Sequence, residues 1–392
     1  LLEKNAQPGR KLLITGSGRC NVTSHLALPD FIDQYFGQGR FLYPAFHRFF
    51  RPELLGLLAD HGTPCHLDHQ GKYFPESDRA EDVLAALLRY AKGNGVRLET
   101  GCPVHAIRQT ESGFIVVTAA GERAASAVIV TTGGMTYPVT GSTGDGYAWA
   151  KSLGHTIQPV RPALVPLVCA QPQLRALSGL SLPDVQCTLK QPGQKHARLR
   201  GDLLITHKGV SGPVVLRLSR YWVNKESGAN GPGTQLVINL APDLEQSDLQ
   251  ATLAESLLAQ GLHQLKNSLD RFMPRRLAPL VIAAAGLSAE LPAEKTGLAA
   301  CERLAQAIQH WSLPIVGQQG LHLAMITAGG VSLREVDPAT LGSKKTPGLY
   351  FAGEILDIDG DTGGFNLQAA FSTGFLAGVS AAGYWLHQQP GS

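Results

Sequence analysis

Apolar residues recur at helical spacing over residues 80–92, where Val83, Leu84, Leu87 and Leu88 share one face and predict an amphipathic helix. Downstream the period changes. Residues 96–99 read as a short strand. A run of three strands is expected at 104–109, 114–119 and 127–131, with turns at Glu111-Ser112-Gly113 and around Gly121. The third strand enters Gly133-Gly134 and a glycine-rich stretch, 137–146, followed by a helix to about Leu153. From Arg161-Pro162 the character shifts. Short β segments (185–189, 203–206, 235–239), separated by Pro, Gly and polar turns, predict a small barrel or sandwich. Helical patterns follow at 249–258, 262–272 and 298–311. Near 321 the β and glycine character returns, with Ala328-Gly329-Gly330-Val331. A strand at 348–352 enters Gly353-Glu354, and a last helix runs from near Gly363-Gly364-Phe365-Asn366 to about Leu386. The simplest architecture is an α/β domain made of both ends of the chain, 1–163 and 322–392, interrupted by a β-barrel-like domain, 164–245, and a helical subdomain, 246–321. The strand-to-glycine junctions at 131–134 and 352–353 are of the kind that place a ligand at the carboxyl ends of parallel strands.

Composition narrows the function. With 392 residues, 44% hydrophobic and 17% charged, the chain fills more than one core and is no disordered polyelectrolyte. Lys and Arg number 34 against 31 Asp and Glu, a net charge of +3, which argues against a dedicated nucleic-acid binder. The six cysteines form no C-x-x-C pair, which argues against a zinc ribbon or a thioredoxin-like motif. No apolar run reaches the ~18 residues of a membrane span, and Leu1-Leu2-Glu3-Lys4-Asn5 has no signal-peptide pattern. A soluble cytoplasmic protein is expected. Asp357, Asp359 and Asp361 suggest a calcium loop, but Thr362 and Gln368 stand where such a loop needs Gly and Glu, so calcium is rejected; the histidines show no metal-ligand spacing.

A dinucleotide site opens with a strand, a G-x-G-x-x-G loop and a helix, and an acidic residue about 20 residues on binds ribose hydroxyls. Glu3, after two apolar residues, stands where that acidic residue would. The first strand and its glycine loop are therefore expected upstream of residue 1. Gly16-Ser17-Gly18-Arg19-Cys20-Asn21 lacks the third glycine and does not replace them. On position alone an ordinary surface glutamate explains Glu3 as well.

Three segments change that balance: Gly9-Arg10-Lys11 through Thr15-Gly16-Ser17-Gly18-Arg19-Cys20-Asn21-Val22-Thr23; Thr132-Gly133-Gly134 through Tyr137-Pro138 to Gly146; and Gly348 through Gly353-Glu354 to Gly363-Gly364-Phe365-Asn366-Leu367-Gln368. Their order and spacing closely resemble the YhiN/BaiN-like family of bacterial NAD(P)/FAD-dependent oxidoreductases. The likeness covers nearly the whole chain, including Thr206-His207-Lys208-Gly209-Val210-Ser211-Gly212-Pro213. It implies a glutathione-reductase-like, Rossmann-type FAD-binding domain, incomplete at its N-terminus, with an inserted β-barrel and a helical subdomain.

The resemblance implies a set of cofactor contacts. Glu3 binds the adenosine ribose. Arg10 and Lys11 face the pyrophosphate or the ribose edge, or else solvent. Gly16, Gly18, Arg19, Cys20 and Asn21 run near the isoalloxazine, with Cys20 a packing residue rather than a redox thiol. The backbone of Val104 passes the adenine. Gly133 and Gly134 turn the chain under the cofactor, and Gly353-Glu354 meets the ribityl chain or a pyrophosphate-linked water. Gly364, Asn366 and Leu367 open the last helix toward the flavin N1–C2=O edge, where the helix dipole stabilises the reduced, anionic form. The catalytic residue is open. His207 and Tyr137 are candidates for a proton donor, each set against the plainer reading of a solvated loop residue.

The expected function is hydride transfer from NADH or NADPH through FAD to a small organic acceptor. No second Rossmann fingerprint for the nicotinamide is present in the sequence. One alternative is a flavin-dependent RNA-modifying or RNA-binding protein, for which Arg198, Arg200, Arg217, Arg220, Arg271, Arg275 and Arg276 would have to form a basic face. Another is an inactive, truncated flavoprotein.

Overall fold

Two short parallel pairings organise the part of the chain built from its ends. Val128–Val130 pairs in parallel with Leu349–Phe351, Val128 opposite Leu349 and Val130 opposite Phe351. Leu2 bridges Glu99 in parallel. The N–H of Glu3 donates to the Glu99 carbonyl (2.8 Å), and that of Cys102 to the Glu3 carbonyl (2.9 Å). The computed structural model describes residues 1–222 and 233–387. The chain divides into two compact units, Leu1–Ala163 with Leu321–Ser392, and Leu164–Gly320.

In the first unit an antiparallel meander joins Val104–Thr110, Gly113–Thr118 and Gly121–Ala125. Its third strand departs from the sequence reading, which put a turn at Gly121 and the third strand at 127–131. Gly121, Glu122 and Arg123 give no apolar alternation, so the edge strand was hidden. Val128–Val130 leaves the meander to pair with Leu349–Phe351 instead. The helix Ala80–Gly93 forms where the pattern puts it, burying Ala80, Val83 and Ala86, with Glu81 and Asp82 at its positive end and Lys92 at its negative end. The last helix, Phe365–His387, buries a stripe of mainly small residues, including Ala369, Ser372, Thr373 and Ala377. Such a stripe allows backbone to come close.

The second unit is a closed antiparallel barrel. Its strand order is Ser181–Lys190, Ala197–Thr206, Gly209–Ser211, Leu167–Cys169, Trp311–Gln318, Gln235–Asn239 and back to the first. Cys187, Leu189, Leu203, Ile205, Leu236 and Ile238 fill its core. Helices Gln246–Ala259 and Leu298–Gln309 contribute Leu253 and Leu304 to the same cluster. Two segments differ from the sequence reading. Trp311–Gln318 is a barrel strand that buries Trp311, Leu313 and Ile315 alternately, a pattern obscured by Pro314 and by the helix directly before it. Residues 262–272 form only the single turn Leu265–Asn267. Leu265, Leu269 and Met273 are buried at helical spacing, but the N–H groups of Leu265 and Lys266 donate to the carbonyls of Leu291 (2.8 Å) and Ala289 (3.1 Å). That part of the barrel reading falling on 223–232 lies outside the described residues.

All six cysteines are free, and burial pushes the thiols of Cys169 and Cys187 up to about 12.

A buried histidine ties three loops of the first unit. His155 Nε2 lies 2.7 Å from Ser343 Oγ, and Nδ1 lies 3.4 Å from Glu335 Oε2. Glu335 also accepts from Thr156 N–H (2.7 Å) and pairs with Lys345 (2.6 Å). Desolvation depresses the His155 pKa against the opposing pull of Glu335. Desolvation pushes the Glu335 carboxyl up, but hydrogen bonds from Lys345 and Thr156 outweigh it and hold the group at about 2. Both folded values lie below the unfolded ones. The histidine's contribution is therefore lost as pH falls below about 6.5, and the glutamate's as pH falls from the ordinary carboxylate range toward about 2. Melting curves at pH 7.5 and 5.5 should show a drop in Tm for the wild type, and His155→Gln should make that drop clearly smaller. An equal drop in both would place the acid sensitivity elsewhere.

Candidate functional site

Most of the site residues named from sequence gather into three groups along the first unit. The first is built on Glu3. Its Oε1 accepts from the N–H of Asn5 (2.8 Å) and from Asn5 Nδ2 (2.9 Å). Asn5 in turn donates to the Thr140 carbonyl (3.2 Å) and accepts from Arg10 Nη1 (3.4 Å). One face of Glu3 is thus fixed by a local turn, and Arg10 is drawn to its neighbour. Val104 begins a meander strand two residues after Cys102, whose N–H bonds the Glu3 carbonyl. The backbone expected to pass the adenine therefore runs beside the residue expected to hold the ribose.

The second group centres on Glu354, which follows Gly353 at the end of Leu349–Phe351. Lys11, on the short helix Arg10–Leu13, reaches it at 2.5 Å and also donates to Thr136 Oγ1 (2.7 Å). Glu354 Oε1 accepts from Thr327 N–H (2.9 Å) and Thr136 Oγ1 (3.1 Å). Gly133 and Gly134 lie directly before this contact. Thr136, Thr327 and Asn5 were not found by sequence reasoning. Thr136 sits beside the glycine pair, which was a signal; Thr327 and Asn5 carried none.

The third group is the mouth of the last helix. The backbone of Gly364, at φ +89°, lies so near Thr23 that an added Cβ would stand 2.6 Å from Thr23 Cα. Asn21 fixes the junction: with Nδ2 donating to the Thr23 carbonyl (2.9 Å), its Oδ1 accepts from Gly364 N–H (3.1 Å). Asn366 turns its side chain back, accepting from Gly360 N–H (2.7 Å) and donating to the Gly360 carbonyl (2.9 Å). The helix's first internal turn closes with Gln368 N–H to Gly364 O (3.0 Å). The N–H groups of Phe365, Asn366 and Leu367 precede it, at the positive end of a 23-residue dipole.

The side chains of Arg19, Cys20 and Leu367 make their contacts within the protein. Arg19 lies over the Phe74 ring at 4.1 Å and 3.8 Å from Asp78. Cys20 is wholly buried with Val22, Leu54 and Leu58, and burial pushes its thiol up to about 12, which suits packing rather than redox work. The Leu367 side chain packs against that same cluster, leaving only its backbone for a ligand. His207 is exposed in the turn between Ala197–Thr206 and Gly209–Ser211 of the second unit. Tyr137 stays with the site, next to Thr136, in a left-handed conformation (φ 51°) held by Thr140, whose N–H and hydroxyl both bond its carbonyl (2.8 and 2.7 Å). A bulky residue before proline adopts that conformation at a cost. Among the described residues no helix is long and apolar enough to cross a membrane.

These groups fit a flavin dinucleotide. A carboxylate with one oxygen still to satisfy, two cations on one short helix, and a helix mouth rich in N–H groups match a ribose, a pyrophosphate and a ring edge that gathers negative charge.

A model of the HI0933-like protein Rossmann domain family matches residues 1–380. The ribosomal RNA dihydrouridine synthase of Escherichia coli is 30% identical over 377 residues, 95% of this chain and 89% of that one. The 3-dehydro-bile acid delta(4,6)-reductase of Clostridium scindens is 33% identical over 394 aligned residues, 97% of this chain and 92% of that one. Among solved structures, an Escherichia coli quinol fumarate reductase aligns with 100% of this chain and 66% of its own, at 14% identity and a TM-score of 0.48.

Gly364→Ala should lower unfolding stability by about 2–4 kcal/mol in a urea titration, because backbone must move to admit the methyl group. Gly374→Ala is the control, since nothing lies within 4 Å of its added Cβ. It should change stability by less than about 1 kcal/mol. Equal effects at both positions would remove the close contact as the cause.

Proposed function

The chain belongs to the HI0933-like Rossmann-domain family, an α/β FAD-binding fold here carrying an inserted closed barrel, and from that premise we propose a specific chemistry. The protein uses NADH or NADPH, through bound FAD, to saturate a carbon–carbon double bond conjugated with a carbonyl group in a small organic molecule. The names of the two relatives support the bond type. Making dihydrouridine saturates the C5=C6 bond of uridine, which is conjugated with the C4 carbonyl. A delta(4,6) reductase of a 3-oxo acid saturates bonds conjugated with that oxo group.

The observation that carries the reading is the mouth of the last helix, where Asn21 and Thr23 lock Gly364 and leave the N–H groups of the next residues as donors. When bound, FAD supplies the hydride. The chain's own work is to hold the cofactor through Glu3, Arg10, Lys11 and the helix mouth, and to move one proton. Tyr137 is the proton donor in this reading. Its hydroxyl makes no hydrogen bond among the described residues, and its strained backbone is held in place beside Thr136. After hydride reaches the β carbon, the phenol protonates the α carbon, and solvent restores the phenol. A cytoplasmic location, where NAD(P)H is made, goes with this reading.

RNA is the second reading, raised by the 30% identity to a ribosomal RNA enzyme. Three of the seven arginines that an RNA face would need are already engaged within the insertion, and two of them with carboxylates. Arg200 lies between Asp184 (2.7 Å) and Asp243 (2.6 Å), Arg275 pairs with Asp270 (3.2 Å), and Arg276 donates to the Ala176 carbonyl (2.6 Å). Charge already paired with carboxylates attracts phosphate weakly.

The test is anaerobic rapid mixing. NADPH or NADH should bleach the yellow protein, and a 3-oxo-Δ4 steroid or a simple cyclic enone should restore the colour. Tyr137→Phe should bleach at the wild-type rate and recover colour at least tenfold more slowly. Colour restored only by uridine-containing RNA, with dihydrouridine in the product, would replace the first reading by the second.

A further inference from the structure

Family resemblance gives Glu354 to the cofactor, yet three of the about four hydrogen bonds its carboxylate can accept are already taken within the protein. Oε1 takes the Thr327 N–H and the Thr136 hydroxyl, Oε2 takes the Lys11 ammonium, and the side chain is 13% exposed. The packing behind it is fixed. Thr327 Oγ1 accepts from Met135 N–H (2.8 Å), and a Cβ on Gly134 would stand 2.2 Å from that oxygen and 2.8 Å from Glu354 Oε1. Turning the carboxylate outward breaks three hydrogen bonds and leaves Lys11 without its partner.

Lys11 is placed the other way. An ammonium has three N–H bonds. Glu354 and Thr136 take two, the third has no partner among the described residues, and the side chain keeps 24% exposure. Its helix leads straight into the loop that locks Gly364.

We infer that Lys11, not Glu354, is the group that touches the cofactor at this point, through an oxygen carrying negative charge, and that Glu354 is the positioning residue that aims the ammonium. The inference rests on the flavin reading above. The oxygen is either a phosphate oxygen or a carbonyl oxygen of the ring.

The test is FAD affinity, by fluorescence titration, for wild type, Lys11→Met, Glu354→Gln and the double variant, with the melting temperature of each flavin-free form measured alongside. Lys11→Met should weaken FAD at least tenfold. Glu354→Gln should weaken it less, about threefold, and should add nothing in the Lys11→Met background, because the residue acts only through the lysine. A midpoint potential that falls in Lys11→Met identifies the ring carbonyl, and an unchanged potential identifies phosphate; both outcomes support the contact. Recovery of wild-type affinity in the double variant would make Lys11 a mere counter-ion and overturn the inference. So would an equal loss from Glu354→Gln in both backgrounds, which would put Glu354 itself on the cofactor. A wild-type protein that takes up no FAD at all would overturn the flavin reading, and this inference with it.

Discussion

The structure turns on one close backbone contact, that of Gly364 with Thr23. A helix cannot satisfy the N–H groups of its own first turn, and something outside must do so. Here one donor is met by Asn21, and the rest remain at a mouth walled by the 15–23 loop. The spacing leaves no room for a side chain at 364. The loop thus fixes where the dipole points, and the small residues along the buried stripe of the last helix hold that direction.

Glu354 plays the matching part beside Gly134. One carboxylate gathers Lys11, Thr136 and Thr327 from segments far apart in sequence. Buried charge is stable only when paired and hydrogen-bonded. The short helix, the glycine-rich loop and the strand end are therefore held in register by the need to satisfy that one group. Electrostatics rather than apolar packing decides the local geometry there.

Much of this was legible in the sequence wherever one element buries one face. Val83, Leu84 and Leu87 marked the helix at Ala80–Gly93, and Gly363-Gly364 marked the start of the last helix. The FAD-type fold was implied by the family resemblance that three glycine-rich segments carry. The reading failed where the pattern and the pairing part company. Leu265, Leu269 and Met273 imitate a helix, yet neighbouring N–H groups bond residues 289 and 291. Gly121–Ala125 is an edge strand whose polar residues give no alternation. Trp311–Gln318 closes a barrel whose other strands lie far away in sequence. Thr136, Thr327 and Asn5 orient charged groups through a few hydrogen bonds each, and a lone threonine or asparagine leaves no periodic trace.

The thiols carry a further consequence. Peroxide attacks thiolates, not thiols. With Cys20, Cys169 and Cys187 pushed up to about 12, the thiolate fraction at neutral pH is on the order of one part in a hundred thousand. These three sulfurs are therefore shielded from sulfenic acid formation by the same apolar packing that seats Cys20 and Cys187 in their cores and Cys169 against one.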